Sequence, residues 1–159
     1  MTAPKIVVAF GDGIGPAIME STLKILKEAK VELEIDTIEV GQKQYDRDIE
    51  TGIPPSAWET IRNNKILLKA PITTPQGKGY KSLNVTLRKT LGLYANVRPC
   101  RAYHPYVKTN FPNMDLVIIR ENEEDIYTGV EYRHSNGSYQ ALKTITHSGS
   151  FHIHKFAFD

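Results

Sequence analysis

Two stretches of this sequence gather side chains that could handle an anion. In KSLNVTLRKTLGLYANVRP, Lys81–Pro99, Ser82 and Asn84 stand near the start of a predicted helix, Arg88 follows further along it, and Arg98 lies on an extended segment. A helix N-terminus offers unpaired N–H groups and the positive end of its dipole to negative charge. Residues four apart share a helix face, so Asn84 and Arg88 stand together. In DLVIIRENEEDIYTGVEY, Asp115–Tyr132, a predicted strand delivers Arg120, followed by Glu121, Asn122, Glu123, Glu124 and Asp125, then Tyr127. α/β proteins place ligands beyond the carboxyl ends of their strands, where Arg120 would sit. Tyr127 could donate a proton. Each stretch also has a plainer reading. The helix could be amphipathic with Arg88 and Lys89 solvated. The acidic run could hold a metal, line a solvated loop or neutralise nearby arginines, and Tyr127 could simply pack. Spacing alone leaves these readings open.

The N-terminal stretch KIVVAFGDGIGPAI poses a separate choice. Gly11, Gly13 and Gly15 follow an apolar run, but their spacing is G-x-G-x-G, one residue short of the G-x-G-x-x-G dinucleotide fingerprint. The alternative is a tight strand-to-helix turn that needs positive φ, with Pro16 at the first helical position. Acidic residues follow at Asp36 and Glu39, where acids are too common to decide. His104, His134, His147, His152 and His154 read as structural or surface residues. The nucleophile-elbow, phosphate-loop and paired-cysteine zinc patterns are all missing.

The elements that must carry these residues follow from periodicity. Lys5–Phe10 predicts a buried strand and Gly15–Lys30 an amphipathic helix with Ile14, Ile18, Ile25, Leu26 and Ala29 near one face. Val31–Val40 alternates like a half-buried strand. Ser56 is positioned to cap a short helix over Ala57–Asn63, and Lys65–Ala70 predicts the next strand. That alternation implies an α/β layer with a largely parallel sheet. After the loop Pro71–Tyr80 come a helix over Leu83–Leu91, an extended Tyr94–Pro99, a buried strand Met114–Arg120, a turn at Asn136-Gly137 and a strand Ser138–Thr146. A final helix over Ser148–Asp159 would be capped by Ser148 or Ser150; it stops mid-stripe, which reads as truncation.

The chain has 159 residues, 40% hydrophobic and 24% charged, with a net charge of +2. That balance suits one soluble domain or a piece of a larger one, and gives no pull toward nucleic acid or a membrane surface. The single cysteine, Cys100, cannot form an internal disulfide, which fits a reducing compartment and reads as a passive thiol. No apolar run is long enough for a membrane helix. A cytoplasmic location is expected, or the mitochondrial matrix in a eukaryote.

Taken together, GDGIGP, the TTPxGxGYKSLNVTLRKTLGLYANVRP block and RENEEDIYTGVEY resemble the β-decarboxylating isocitrate/isopropylmalate dehydrogenase family over essentially the whole chain. Within it they are similar to the isocitrate enzymes, which carry Ser-x-Asn then Leu-Arg where this chain has Ser82, Asn84, Leu87 and Arg88. The isopropylmalate enzymes have apolar residues at the first two positions and lack the ENxED of Glu121–Asp125. The resemblance implies the family's three-layer α/β fold, not a Rossmann fold, incomplete at the C-terminus. It implies residues 1–93 as the first part of the large domain, 94–124 as the start of the small domain and 125–159 as a clasp region.

The resemblance also implies roles. Arg88, Arg98 and Arg120 would grip the carboxylates of isocitrate, a trianion, in the bidentate manner guanidinium favours. Ser82 and Asn84 would bind its γ-carboxylate. Thr73, Thr74 and Asn84 would contact the nicotinamide end of NADP or NAD, and Tyr127 would protonate the enol. Ser82 also matches a serine that some bacterial members phosphorylate. Mg²⁺ or Mn²⁺ is implied, with ligands beyond residue 159, as is a catalytic lysine there. A homodimer through the clasp region is implied, with this chain inactive alone. Two other readings stand beside this one: an isopropylmalate or homoisocitrate enzyme, and a non-catalytic subunit that binds isocitrate or citrate.

Overall fold

The computed structural model describes residues 3–74 and 82–159. Most of the expected Pro71–Tyr80 loop, together with Lys81, lies outside the described residues. The chain divides into two compact units, Met1–Thr86 and Leu87–Asp159. Among the described residues no helix is long and apolar enough to cross a membrane.

The first unit runs β1 (Lys5–Ala9), α1 (Gly15–Glu28), β2 (Glu34–Ile38), α2 (Gln42–Tyr45), α3 (Pro55–Asn64) and β3 (Leu67–Lys69). The strands form a parallel sheet in the order β2-β1-β3. Lys5 stands opposite Glu34, Ala9 opposite Ile38, and Val7 opposite Leu67. β1 is the central strand, and its Ile6–Ala9 are all buried. Parallel strands joined by helices are covered on both faces, which is why this run is continuously apolar rather than alternating. Ile6 and Val8 pack with Met19 and Ala70, joined by Phe10, Leu23, Leu33 and Leu68. α3 packs on β1 with Ala57 and Ile61 buried, four residues apart on one helix face.

The opening glycines resolve as a turn. Gly11 has φ +71°, and a Cβ there would overlap the Pro71 carbonyl oxygen. The neighbouring Asp12 N–H donates to that same carbonyl at 2.9 Å. The close approach, not a nucleotide, accounts for the glycine, and Pro16 is the second residue of α1 rather than the first, because the helix begins at Gly15.

Several expectations need correction. The stripe expected to bury α1 is largely the wrong one. Ile14, Ile18 and Ile25 are exposed, whereas Gly15 and Met19 are buried and Leu23 partly so. The sheet contacts that face, and total hydrophobicity does not reveal it. β2 is shorter than Val31–Val40 because only Glu34–Ile38 pair with β1. Ser56 lies inside α3 rather than capping it; the helix begins at Pro55 with Pro54 before it. α2 has no counterpart among the elements expected from periodicity.

α4 (Leu83–Leu91) has the expected bounds, and the division between the units falls within it. In the second unit β4 (Ala95–Arg101) and β5 (Asp115–Glu121) pair antiparallel, with Ala95 opposite Glu121 and Arg101 opposite Asp115. A 3-10 turn, Ile126–Thr128, leads to a hairpin of β6 (Glu131–Arg133) and β7 (Tyr139–Ala141), then α5 (His147–Phe158). Gly137, at φ +84°, makes the expected turn between β6 and β7. The strand expected at Met114–Arg120 is present but not buried: Leu116, Val117 and Ile118 are exposed, because β5 has a single partner strand among the described residues. The strand expected over Ser138–Thr146 shrinks to β7. α5 is capped by Thr146, whose side chain accepts the Gly149 N–H, and not by Ser148 or Ser150. α5 packs on β5, and Phe156 meets Tyr94 edge-on at 5.8 Å between centroids.

Candidate active site

In the second unit, strand register sets the arginines. Asn96 stands opposite Arg120, and directly opposed residues share a sheet face. Arg98, two residues beyond Asn96, projects from that same face, and its Nε donates to Asn96 Oδ1 at 3.2 Å. Arg120 Nη2 donates to the Tyr127 hydroxyl at 2.7 Å. The Arg88 guanidinium lies over the Tyr127 ring at 4.8 Å from its centroid, and that of Arg120 at 5.7 Å. Lys89 Nζ donates to the Thr128 carbonyl at 3.2 Å, tying the last turn of α4 to the turn that carries Tyr127.

Arg88, Arg120 and Tyr127 are therefore gathered, with Arg98 on the strand face that holds Arg120. Among the described residues none of the three guanidiniums pairs with a carboxylate; the ion pairs there use other groups. Arg88 Nε is buried and has no hydrogen-bond partner among the described residues. A buried, unsatisfied donor on a cation costs free energy that an incoming anion recovers. Two cations against one phenol attract the ring's π-face but repel each other, and a polyanion relieves that repulsion.

Ser82 and Asn84 stand at the beginning of α4, in the first unit. The Ser82 carbonyl accepts the Thr86 N–H at 2.9 Å, which makes Ser82 the residue preceding the helix. Asn84 is exposed, its side chain makes no hydrogen bond among the described residues, and it lies one helical turn before Arg88. Thr73 and Thr74 leave β3 on a loop fixed from below. Asp12 Oδ2 accepts the N–H of Thr73 and the N–H of Gln42, each at 3.0 Å. Tyr45, at the end of α2, is buried, with its ring against Gly52. Sequence reasoning finds the threonines but misses Asp12 and Tyr45. Asp12 sits inside the quoted glycine turn, which is the available signal; Tyr45 has none.

The acidic run takes a different part from any of those weighed. Glu121 accepts the backbone N–H groups of Glu123 at 2.7 Å and Glu124 at 3.1 Å. Glu124 accepts the Thr146 N–H at 2.8 Å and the Thr146 hydroxyl, and those bonds hold its carboxyl below the usual range. Asp125 pairs with Lys143 at 3.4 Å. These carboxylates bind backbone and lysine, joining the end of β5 to the start of α5. Among the described residues no group of three His, Cys, Asp or Glu could hold a metal ion. Among the described residues, then, no donor set fits the divalent cation that the resemblance implies.

Comparison with known proteins decides the family. The family model described as isocitrate/isopropylmalate dehydrogenase matches residues 5–159. The chain belongs to the isocitrate/isopropylmalate dehydrogenase family. Among members of that family, isocitrate dehydrogenase [NADP] of Rickettsia conorii is 53% identical over 154 residues, covering 97% of this chain and 32% of that protein. Isocitrate dehydrogenase [NAD] subunit 2, mitochondrial, of Schizosaccharomyces pombe is 43% identical, covering 96% of this chain and 40% of that one. The crystal structure of isocitrate dehydrogenase from Methylococcus capsulatus superposes with a TM-score of 0.85 at 38% identity, covering 98% of this chain and 46% of that chain. A crystal structure from Thermus thermophilus, that of TT0538 protein, gives a TM-score of 0.88 at 46% identity, covering 97% of this chain and 31% of that chain. The α/β fold expected from the motifs is thus the family's fold. This chain spans about a third of the length of the first of these dehydrogenases, at 32%.

Proposed function

We propose that this chain supplies the substrate-anion clamp of an isocitrate dehydrogenase, which converts isocitrate to 2-oxoglutarate and carbon dioxide as NADP or NAD is reduced. The observation that carries this reading is the pair of guanidiniums of Arg88 and Arg120 on Tyr127, neither paired with a carboxylate among the described residues, where Arg88 Nε is buried without a partner. Arg88, Arg98 and Arg120 hold substrate carboxylates; Ser82 and Asn84 hold the carboxylate that distinguishes isocitrate.

Asn84, an exposed amide without a partner among the described residues, and Thr73 and Thr74 on their anchored loop are uncharged donors and acceptors that suit a nicotinamide carboxamide. The nicotinamide supplies a hydride acceptor when bound. The clamp holds the hydroxyl-bearing carbon while its hydride passes to the nicotinamide and its hydroxyl proton passes to a base supplied by another part of the functional protein. The resulting β-keto carboxylate releases carbon dioxide, leaving an enolate. Tyr127 then gives its hydroxyl proton to the enolate carbon. Arg120, donating to the same hydroxyl at 2.7 Å, stabilises the phenolate left behind. Among the described residues no three such donors gather for a divalent cation; its ligands, and the lysine the resemblance implies, would belong to other parts of the functional protein.

The reading also proposes residues 1–93, 94–124 and 125–159 as parts of the large domain, small domain and dimer clasp, in a soluble homodimer of the cytoplasm or matrix. The test is the full-length protein assayed with isocitrate, isopropylmalate and homoisocitrate, each with NADP and NAD. Isocitrate is the expected substrate. Preference for either other acid, or isocitrate binding without turnover, would overturn the proposal.

A further inference from the structure

The arginines of the proposed clamp are not presented alike. Arg98 donates through Nε to Asn96 Oδ1 at 3.2 Å, whereas Arg120 donates through Nη2 to the Tyr127 hydroxyl at 2.7 Å. Across the strand pair Asn96 stands opposite Arg120, and Arg98 opposite Ile118. Alternation along the two strands puts Asn96, Arg98, Cys100, Leu116, Ile118 and Arg120 on one face. Among those side chains only Asn96 carries an oxygen. Arg98 finds no acceptor straight across at Ile118, and it bonds back along its own strand instead. Arg98 is exposed, so packing does not hold its long side chain, and among the described residues the Asn96 bond is the one that restrains it.

We infer that Asn96 is a positioning residue for Arg98 and sets which edge of that guanidinium meets the substrate. The inference rests on the reading of Arg98 as a carboxylate contact. A guanidinium has two forked edges that fit a carboxylate: Nε with one Nη, and the two Nη atoms together. With Nε held by Asn96, the Nη1–Nη2 edge is the one left for a bidentate grip. The same bond orders Arg98 before the substrate arrives. A long side chain that is loose beforehand must be immobilised on binding, and that cost is taken from affinity. Asn96 thus acts on the binding of isocitrate rather than on the chemical steps that follow.

The experiment is steady-state kinetics of the full-length protein with Asn96→Ala, Arg98→Ala and the double variant, alongside thermal melts. Asn96→Ala is expected to raise the KM for isocitrate by about fivefold, the cost of ordering one rotamer-rich side chain on binding, with kcat changed by less than about twofold. In the Arg98→Ala background the same substitution should add nothing, because the bond it removes is already gone. A residue that merely supports the strand would act equally in both backgrounds, and effects that multiply overturn the inference. So does a wild-type isocitrate KM in Asn96→Ala beside an impaired Arg98→Ala, a result that leaves the clamp standing. Wild-type kinetics in Arg98→Ala would instead remove Arg98 from the clamp, and this inference with it. If Asn96→Ala fails to fold, Asn96→Val, which suits a strand and lacks the acceptor, is measured in its place against the same outcomes.

Discussion

The Arg120 guanidinium donates to the Tyr127 hydroxyl at 2.7 Å, while Arg88 lies over the same ring. The residue proposed as proton donor is thus held by two of the residues proposed to hold the substrate. Tyr127→Phe should therefore lower kcat for isocitrate by about 10²–10⁴-fold, the usual contribution of general acid catalysis, with a smaller change in KM. A kcat within a factor of a few of wild type would assign proton delivery elsewhere.

Arg88→Lys separates charge from geometry. Lysine keeps the positive charge but cannot supply the buried Nε donor or lie flat on the Tyr127 ring. The kcat/KM for isocitrate should fall at least about tenfold, corresponding to roughly 1.4 kcal/mol. Wild-type kinetics in this variant would mean that the orphaned donor faces no carboxylate.

The glycine turn gives a differential prediction for stability. Gly11→Ala drives a Cβ into the Pro71 carbonyl oxygen at φ +71°, whereas Gly13, at φ +58°, has nothing within 4 Å. Gly13→Ala should cost only backbone strain, about 1–2 kcal/mol. Gly11→Ala must also push back the loop and should cost about 3 kcal/mol or more. Denaturant midpoints of the two variants check the order; equal losses would show that the two segments are not in contact.

Glu124 makes the start of α5 sensitive to acid. Its carboxyl is held below the usual range first by the Thr146 side chain, then by the Thr146 backbone N–H. A carboxyl with a lowered folded pKa contributes stability that is present above its ordinary value and is lost as pH falls through the lowered one. Protection of the Thr146 amide from hydrogen exchange should therefore decline in the acid range below the ordinary carboxylate pKa. Glu124→Gln should show reduced protection already at neutral pH. Equal protection in the variant at neutral pH would contradict this account.

How much of this is legible in the sequence depends on the range of the forces involved. α4 is bounded correctly because its cap position, its apolar spacing and the glycine after it are all local. β1 and α1 fall within a residue or two of their expected bounds for the same reason. The buried face of α1 escapes sequence reading, since Ile14, Ile18 and Ile25 form as good a stripe as Gly15, Met19 and Leu23; only the sheet decides between them. α2 escapes notice because a four-residue helix has no periodicity, and its anchor, Asp12, lies thirty residues earlier. The arginines and Tyr127 are visible as residue types in a familiar order. That Arg88 and Arg120 meet on one phenol ring is not, because strand register and the Lys89 contact to Thr128 are set by tertiary structure.

The most direct test of the clamp is kcat/KM for isocitrate in the full-length protein with Arg98→Ala. Arg98 shares its strand face with Arg120, and its side chain bonds, among the described residues, to Asn96 alone. Losing a charge-assisted hydrogen bond costs about 1.5–3 kcal/mol, so a fall of at least about tenfold is predicted. An unchanged kcat/KM would remove Arg98 from the site and contradict the reading of this face as a carboxylate clamp.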